Sequence, residues 1–243
     1  MTNLNGSEII RIFEDELKKK IIRKKSLYVV LGLLGDFDSF EYIQALRPYL
    51  SNIDKSRIKL NIIGIGNEDS RKYFCKYTKL PEKYIRTVDQ NNLHKKLLLN
   101  DGLSLPINPL INLMLMCMGF KSPGTIPEVL RGYLGNKNSR QIFNDNEDIA
   151  FSNIIRFRAA SFNLIGEKGS LRPFELASLR LMNLIEVASN WNIYMKNQTF
   201  LTQRGGTFLI DSDEKLLYSY RCQSLLGFSE TMEEPVKFLK AWL

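Results

Sequence analysis

Apolar positions along the chain fall into two rhythms. Residues 27–34 (LYVVLGLL) and 58–65 (IKLNIIGI) are short, almost unbroken apolar runs bounded by basic residues and glycine. Runs of that length predict strands covered on both faces. Between them, a polar turn at 35–39 leads into a helix over 40–50, with Pro48 late in it. Gly66 and Asn67 turn the chain into a helix over 68–77, followed by a short strand at 84–88 and a short helix at 93–99. Strands that alternate with helices predict a parallel sheet with right-handed crossovers, an α/β fold. Ahead of the first strand, Ile9, Ile10, Phe13, Leu17 and Ile21 recur at helical spacing. Ser7 is placed to cap that helix, and the basic run from Lys18 to Lys25 suits its C-terminal end.

The alternation breaks over residues 101–201. Residues 110–118 carry Met114, Met116, Cys117 and Met118 and read as a buried helix. Residues 127–134 read as a short helix with proline in its first turn, and 135–147 as a polar loop. Residues 173–195 form the longest helical stretch, with Leu176, Leu179, Met182, Leu184, Ile185 and Val187 as its apolar contacts. The block is expected to be a mostly helical insertion. Alternation then returns: a strand at 207–210, a turn at 211–214, a strand at 215–220 that closes a hairpin, and a final helix over 229–243. The expected organisation is one domain: an N-terminal helix (1–26), a first part (27–100), the insertion (101–201) and a second part (202–243).

Composition narrows the function classes. At 243 residues and 44% hydrophobic, the chain can build a substantial core. The net charge of +8 raises the prospect of an anionic partner. The basic residues are spread along the chain, so a solvated surface is the simpler reading and nucleic acid is not the expected partner. The partner expectation instead falls on the 101–201 block, whose methionine-rich helix would suit a protein partner or a small apolar ligand. One histidine (His94) and three scattered cysteines, with no C-x-x-C pair, argue against a metal site. Gly64-Ile65-Gly66 is followed by Asp69 where a dinucleotide turn needs its third glycine. No cofactor is therefore expected. The longest apolar stretch, 110–120, falls short of the roughly 20 residues a membrane span needs. The first 17 residues lack the apolar run of a signal peptide, and a cytoplasmic location is expected.

Particular segments add a resemblance. Gly206-Thr207-Phe208-Leu209-Ile210-Asp211 resembles the T-F-L-I-D strand of peroxiredoxins. LGLLGDFDSFEYIQAL at 31–46 resembles the first strand and active-site turn of the peroxiredoxin-like branch of the alkyl hydroperoxide reductase and thiol-specific antioxidant family. Residues 82–89 resemble the stretch that follows that family's second αβ unit. Together with LMLMCMGFKSPGT, RPFELASLRLMN and TQRGGTFLID, the pattern is similar to a cyanobacterial group in that family. The resemblance implies a thioredoxin-like fold with a mixed sheet and a large helical insertion. It also implies an antioxidant thiol chemistry.

The departures bear on that chemistry. Relatives carry C-x-x-C or one peroxidatic cysteine at the turn after the first strand. Here the turn reads Asp38-Ser39-Phe40-Glu41. A carboxylate or hydroxyl oxygen cannot cycle through sulfenic acid, so the resemblance implies a degenerate site at Asp38, Ser39 and Glu41. Relatives place an arginine two residues before the threonine of T-F-L-I-D; here Arg204 stands three before Thr207, and Gly206 replaces a proline. Asp38 or Ser39 also serves as a plain helix cap, and Glu41 as a first-turn acid. Cys75, with Arg71, Lys72 and Lys76 close in sequence, and Cys222, after the hairpin, are the remaining redox candidates. Cys75 equally reads as a small buried residue on a helix. The expected activity is therefore a non-peroxidase binding or regulatory module. A residual thiol oxidoreductase stands behind it, and an anion- or nucleic-acid-binding domain behind that.

Overall fold

The computed structural model describes residues 4–152, 154–166 and 171–243. Its centre is β1, Ser26–Leu33, in which all eight residues are buried. β1 pairs in parallel with β2 (Lys59–Ile65), which pairs in parallel with β3 (Ile85–Val88). On its other side β1 runs antiparallel to β6 (Gly206–Ile210), which continues antiparallel into β7 (Leu216–Arg221). The order β3-β2-β1-β6-β7 is that of a thioredoxin-like fold with a mixed sheet.

Successive side chains of β1 point to opposite faces, and each face has its own core. Leu27, Val29, Leu31 and Leu33 pack under α2 (Phe37–Leu46), α3 (Leu50–Lys55) and α4 (Glu68–Thr78). Tyr28 and Val30 pack under α1 (Gly6–Leu17) and α5 (Asn92–Lys96). The Phe13 ring stacks on Tyr28 with centroids 4.4 Å apart.

Several boundaries differ from expectation. α1 is capped by Asn5 in a reciprocal pair with Glu8, not by Ser7. It ends where Lys18 turns left-handed, so the basic run lies beyond the helix. α2 starts earlier than expected because Asp36, not Asp38 or Ser39, caps it. Pro48 lacks the N–H that a continued helix needs, and a 3-10 turn at Arg47–Tyr49 separates α2 from α3. The expected C-terminal helix is reduced to a 3-10 turn at Lys237–Ala241. Pro235 interrupts that span and disfavours helical backbone just before it.

Between α5 and β6 lie α6 (Pro109–Cys117), α7 (Thr125–Leu134), a hairpin of β4 (Asp148–Ala150) with β5 (Arg156–Arg158), α8 (Glu175–Ser189) and α9 (Trp191–Tyr194). The β4–β5 hairpin was not expected, and the long helix breaks at Asn190. α6 is not buried as expected: only Asn112 and Met116 are covered, while Met114 and Met118 are each 62% exposed and Cys117 is exposed. A helix apolar all round carries no directional signal in its sequence, and here it lies on the surface. Phe143, Ile149, Phe162, Leu171 and Leu176 form a small separate core in this segment. Among the described residues, no helix is long and apolar enough to cross a membrane.

Candidate functional site

The corner after β1 gathers three charged side chains out of water. Asp36 caps α2, its Oδ1 accepting from the Ser39 amide at 2.6 Å. Asp38 follows in the first turn and is 7% exposed. Arg204, fully buried, reaches across from the segment before β6 and donates Nη1 to Asp38 Oδ2 at 2.8 Å. Its other two nitrogens donate as well, Nε to the Thr202 carbonyl at 2.8 Å and Nη2 to the Leu201 carbonyl at 3.1 Å. The other oxygen of Asp38 accepts from the Leu226 amide at 2.8 Å. Gly205 lets the chain pass this close, since a Cβ there would run into the Val30 carbonyl.

One guanidinium faces two carboxylates, and it satisfies only one. Asp36 Oδ2 lies 3.8 Å from Arg204 and has no hydrogen-bond partner. Burial, with the Asp38 charge adding to it, outweighs the attraction of Arg204 and pushes the Asp36 carboxyl up to about 7. The buried Arg204–Asp38 pair is neutral as a unit, so Asp36 is the residue driven to hold a proton.

Glu41 lies one turn further along α2 and faces a different partner. Arg180 of α8 grips it with two bonds, Nε to Oε2 at 2.7 Å and Nη2 to Oε1 at 3.0 Å. The same Arg180 holds Glu128 of α7 at 2.7 Å, and Arg131 holds Glu128 at 2.6 Å. Glu41 thus ties α2 to both α7 and α8. The next residue, Tyr42, bonds Thr207 through its hydroxyl at 2.7 Å and stacks on Phe228. Ser39 is buried, and its hydroxyl has no partner. The structure therefore brings Asp38, Arg204 and Ser39 to one corner and sets Thr207 behind Tyr42. Glu41 turns away to the helices of the intervening segment.

The cysteines lie apart from thiolate chemistry. Cys75 is 4% exposed, and burial pushes its thiol up to about 11, with Arg71 opposing only in part. Cys222, the other redox candidate, is buried, its amide bonded to the Gly205 carbonyl. Burial, then the Asp38 charge, pushes its thiol well above the ordinary range. Cys117 was expected in the core and is exposed at the end of α6, yet desolvation raises its thiol as well. No pair of these cysteines is bonded. Among the described residues, no three His, Cys, Asp or Glu side chains gather as a metal ligand set.

Two clamping arginines, one fully and one largely buried, escaped the sequence reading. Arg180 and Arg172 sit among leucines in RPFELASLRLMN, where a helical pattern reads as an exposed polar face. Arg172 is fully buried and bonds Glu175, Asp145, Asn163 and the Phe143 carbonyl. For Arg172 the signal was a glutamate three residues on, Glu175; Arg180 carried no local signal, because its partners Glu41 and Glu128 are remote in sequence.

A sequence profile described as AhpC/TSA antioxidant enzyme matches residues 45–224. The matched stretch opens just beyond Glu41 and takes in Arg180, Arg204 and Thr207. No curated protein and no solved structure gives a significant match.

Proposed function

The chain belongs to the AhpC/TSA antioxidant enzyme family, and we propose that within it this protein is a scaffold for binding or regulation and not a peroxidase. The carrying observation is that each of the three nitrogens of Arg204 already donates a hydrogen bond within the protein. In thiol peroxidases a cationic group serves a thiolate, whose nucleophilic sulfur is oxidised and then recycled. Here the guanidinium is fully buried and spent on Asp38, Thr202 and Leu201. The carboxylate at Asp38 takes the thiolate's charge without its chemistry. Glu41, in the place of a second cysteine, is spent on Arg180. The two polar positions of the corner act as cross-links: one holds the chain leading into β6 and the loop at Leu226, the other holds α7 and α8.

The competing reading, a thiol oxidoreductase built on Cys75 or Cys222, needs an accessible thiolate. Both side chains are buried and raised in pKa, which favours the scaffold. In this reading the protein works in the cytoplasm with reduced thiols, and the 101–201 segment supplies the binding surface. The test is hydroperoxide consumption in the presence of a dithiol reductant. The wild type should consume peroxide no faster than a variant with all three cysteines changed to serine. Turnover that Cys75→Ser or Cys222→Ser abolishes would restore the enzyme.

A further inference from the structure

Lined in part by Glu41 but not by Asp38, a pocket of about 130 Å³ opens between α2, the loop at 139–142 and the turn at 232–236. Its lining includes Ala45, Leu171, Leu176, Leu179 and Val236, four of which are almost fully buried. A space of this size admits about one benzene ring, since an apolar cavity of roughly 150 Å³ binds benzene. Arg47, Tyr49 and Arg140 also line it, and the Arg140 guanidinium lies over the Tyr49 ring, 5.5 Å from its centroid.

The charges around this pocket are not balanced alike. Glu41 is neutralised by Arg180, Arg131 by Glu128, and Glu234 by Lys240. Glu233 accepts a hydrogen bond from Asn136. Arg47 has one long hydrogen bond, 3.5 Å to the Thr78 carbonyl. Neither Arg47 nor Arg140 has a carboxylate partner among the described residues. Two guanidinium groups beside an apolar seat are the usual means of fixing a carboxylate whose body is apolar.

We propose that this pocket binds a small organic carboxylate with a single aromatic ring or a short aliphatic chain, the carboxylate on Arg47 and Arg140 and the apolar body against Leu176, Leu179 and Val236. The inference deepens the scaffold reading. It gives the surface built by the 101–201 segment a ligand class and sets that ligand apart from the corner at Asp38. It rests on that reading only in treating the protein as a binder, and its test uses no peroxide.

The test is saturation-transfer NMR on the full chain with benzoate, and with benzyl alcohol as the uncharged counterpart. Benzoate should receive saturation at millimolar concentration, and benzyl alcohol should bind at least about tenfold more weakly. Arg140→Gln, at an exposed position, should keep the melting temperature and weaken benzoate about tenfold. Ala45→Phe, which fills the seat, should remove the transfer. No transfer to benzoate in the wild type would overturn the proposal. So would benzyl alcohol binding as tightly as benzoate, or transfer that Arg140→Gln leaves undiminished. A protein that consumes peroxide yet binds benzoate this way would lose the scaffold reading and keep the pocket. One that does neither would lose only the pocket.

Discussion

β1 buries every one of its eight residues, whereas α6 buries two of its nine. The sheet is held by apolar area on two faces, with Phe208, Ile210 and Tyr28 on one and Leu27, Val29 and Leu209 on the other. The segment between α5 and β6 has a smaller core and leaves Met114, Met118, Leu130 and Leu134 more than half exposed. Val187, Tyr194, Phe200 and Leu201 join it to the core of the sheet, and charge adds to them: Glu41–Arg180–Glu128 ties α2 to α7 and α8, and Arg172 with Glu175 and Asp145 acts internally. Apolar burial is forgiving of position and cumulative. A buried ion pair is all or nothing, because losing one partner strands the other. The same chain therefore contains an apolar sheet core that should fail gradually and ionic fastenings that should fail at single residues.

Arg204→Met should have the largest effect, since it strands Asp38 beside Asp36 and frees two carbonyls. We expect a loss of about 3–5 kcal/mol in urea unfolding, as one shifted transition. Arg180→Met should cost about 3 kcal/mol by the same logic, but its damage should be local. Hydrogen exchange should rise across α7 and α8 while the amides of β1 and β6 stay protected. Equal loss of protection in the sheet would end the distinction between the two regions. Tyr42→Phe removes the hydroxyl bond to Thr207 and should cost about 1 kcal/mol, read as a shift in the urea midpoint. Met118→Gln, on the open face of α6, should change stability by less than about 0.5 kcal/mol.

Acid–base behaviour sharpens the same contrast. The Asp36 carboxyl is raised in the folded protein to about 7, against roughly 4 for a free side chain. Its contribution is full below about pH 4 and is lost as pH rises towards 7. His94 is shifted the other way, to about 4, by burial, which the bond from its Nε2 to the Leu31 carbonyl opposes only in part. Its contribution is full above about pH 6.5 and is lost as pH falls towards 4. The two oppose one another between pH 4 and pH 7. Asp36→Asn keeps the helix cap and removes one of the two limbs. It should stabilise the protein at pH 8 by about 1 kcal/mol or more relative to pH 4. It should also leave a stability curve that only declines as pH falls below about 6.5.

The sheet was legible because its strands are dense apolar runs bounded by turn residues, and 27–34 and 58–65 nearly match β1 and β2. The pairing of Arg204 with the corner was suggested by the family pattern, although the one-residue shift left it open. What the sequence hid was direction. Nothing in PLINLMLMC says which side of α6 meets protein, and Cys117 lies exposed instead of in the core for that reason. Arg172 hid because an arginine three residues from a glutamate is far more often a solvated pair than a buried clamp, and Arg180 hid because its partners, Glu41 and Glu128, are remote in sequence. Asp36 outranked Asp38 as the helix cap by being two residues nearer the strand end, a difference that spacing alone does not resolve.

The most direct test of the central claim, that this corner holds an ion pair and the chain holds no activated thiol, is alkylation of each cysteine as a function of pH, read by mass spectrometry on the native protein. The account predicts that all three thiols react only under alkaline conditions, with Cys75 titrating at about 11 and Cys222 later still. A cysteine that alkylates fully at or below neutral pH would contradict it and return the protein to the thiol enzymes of its family.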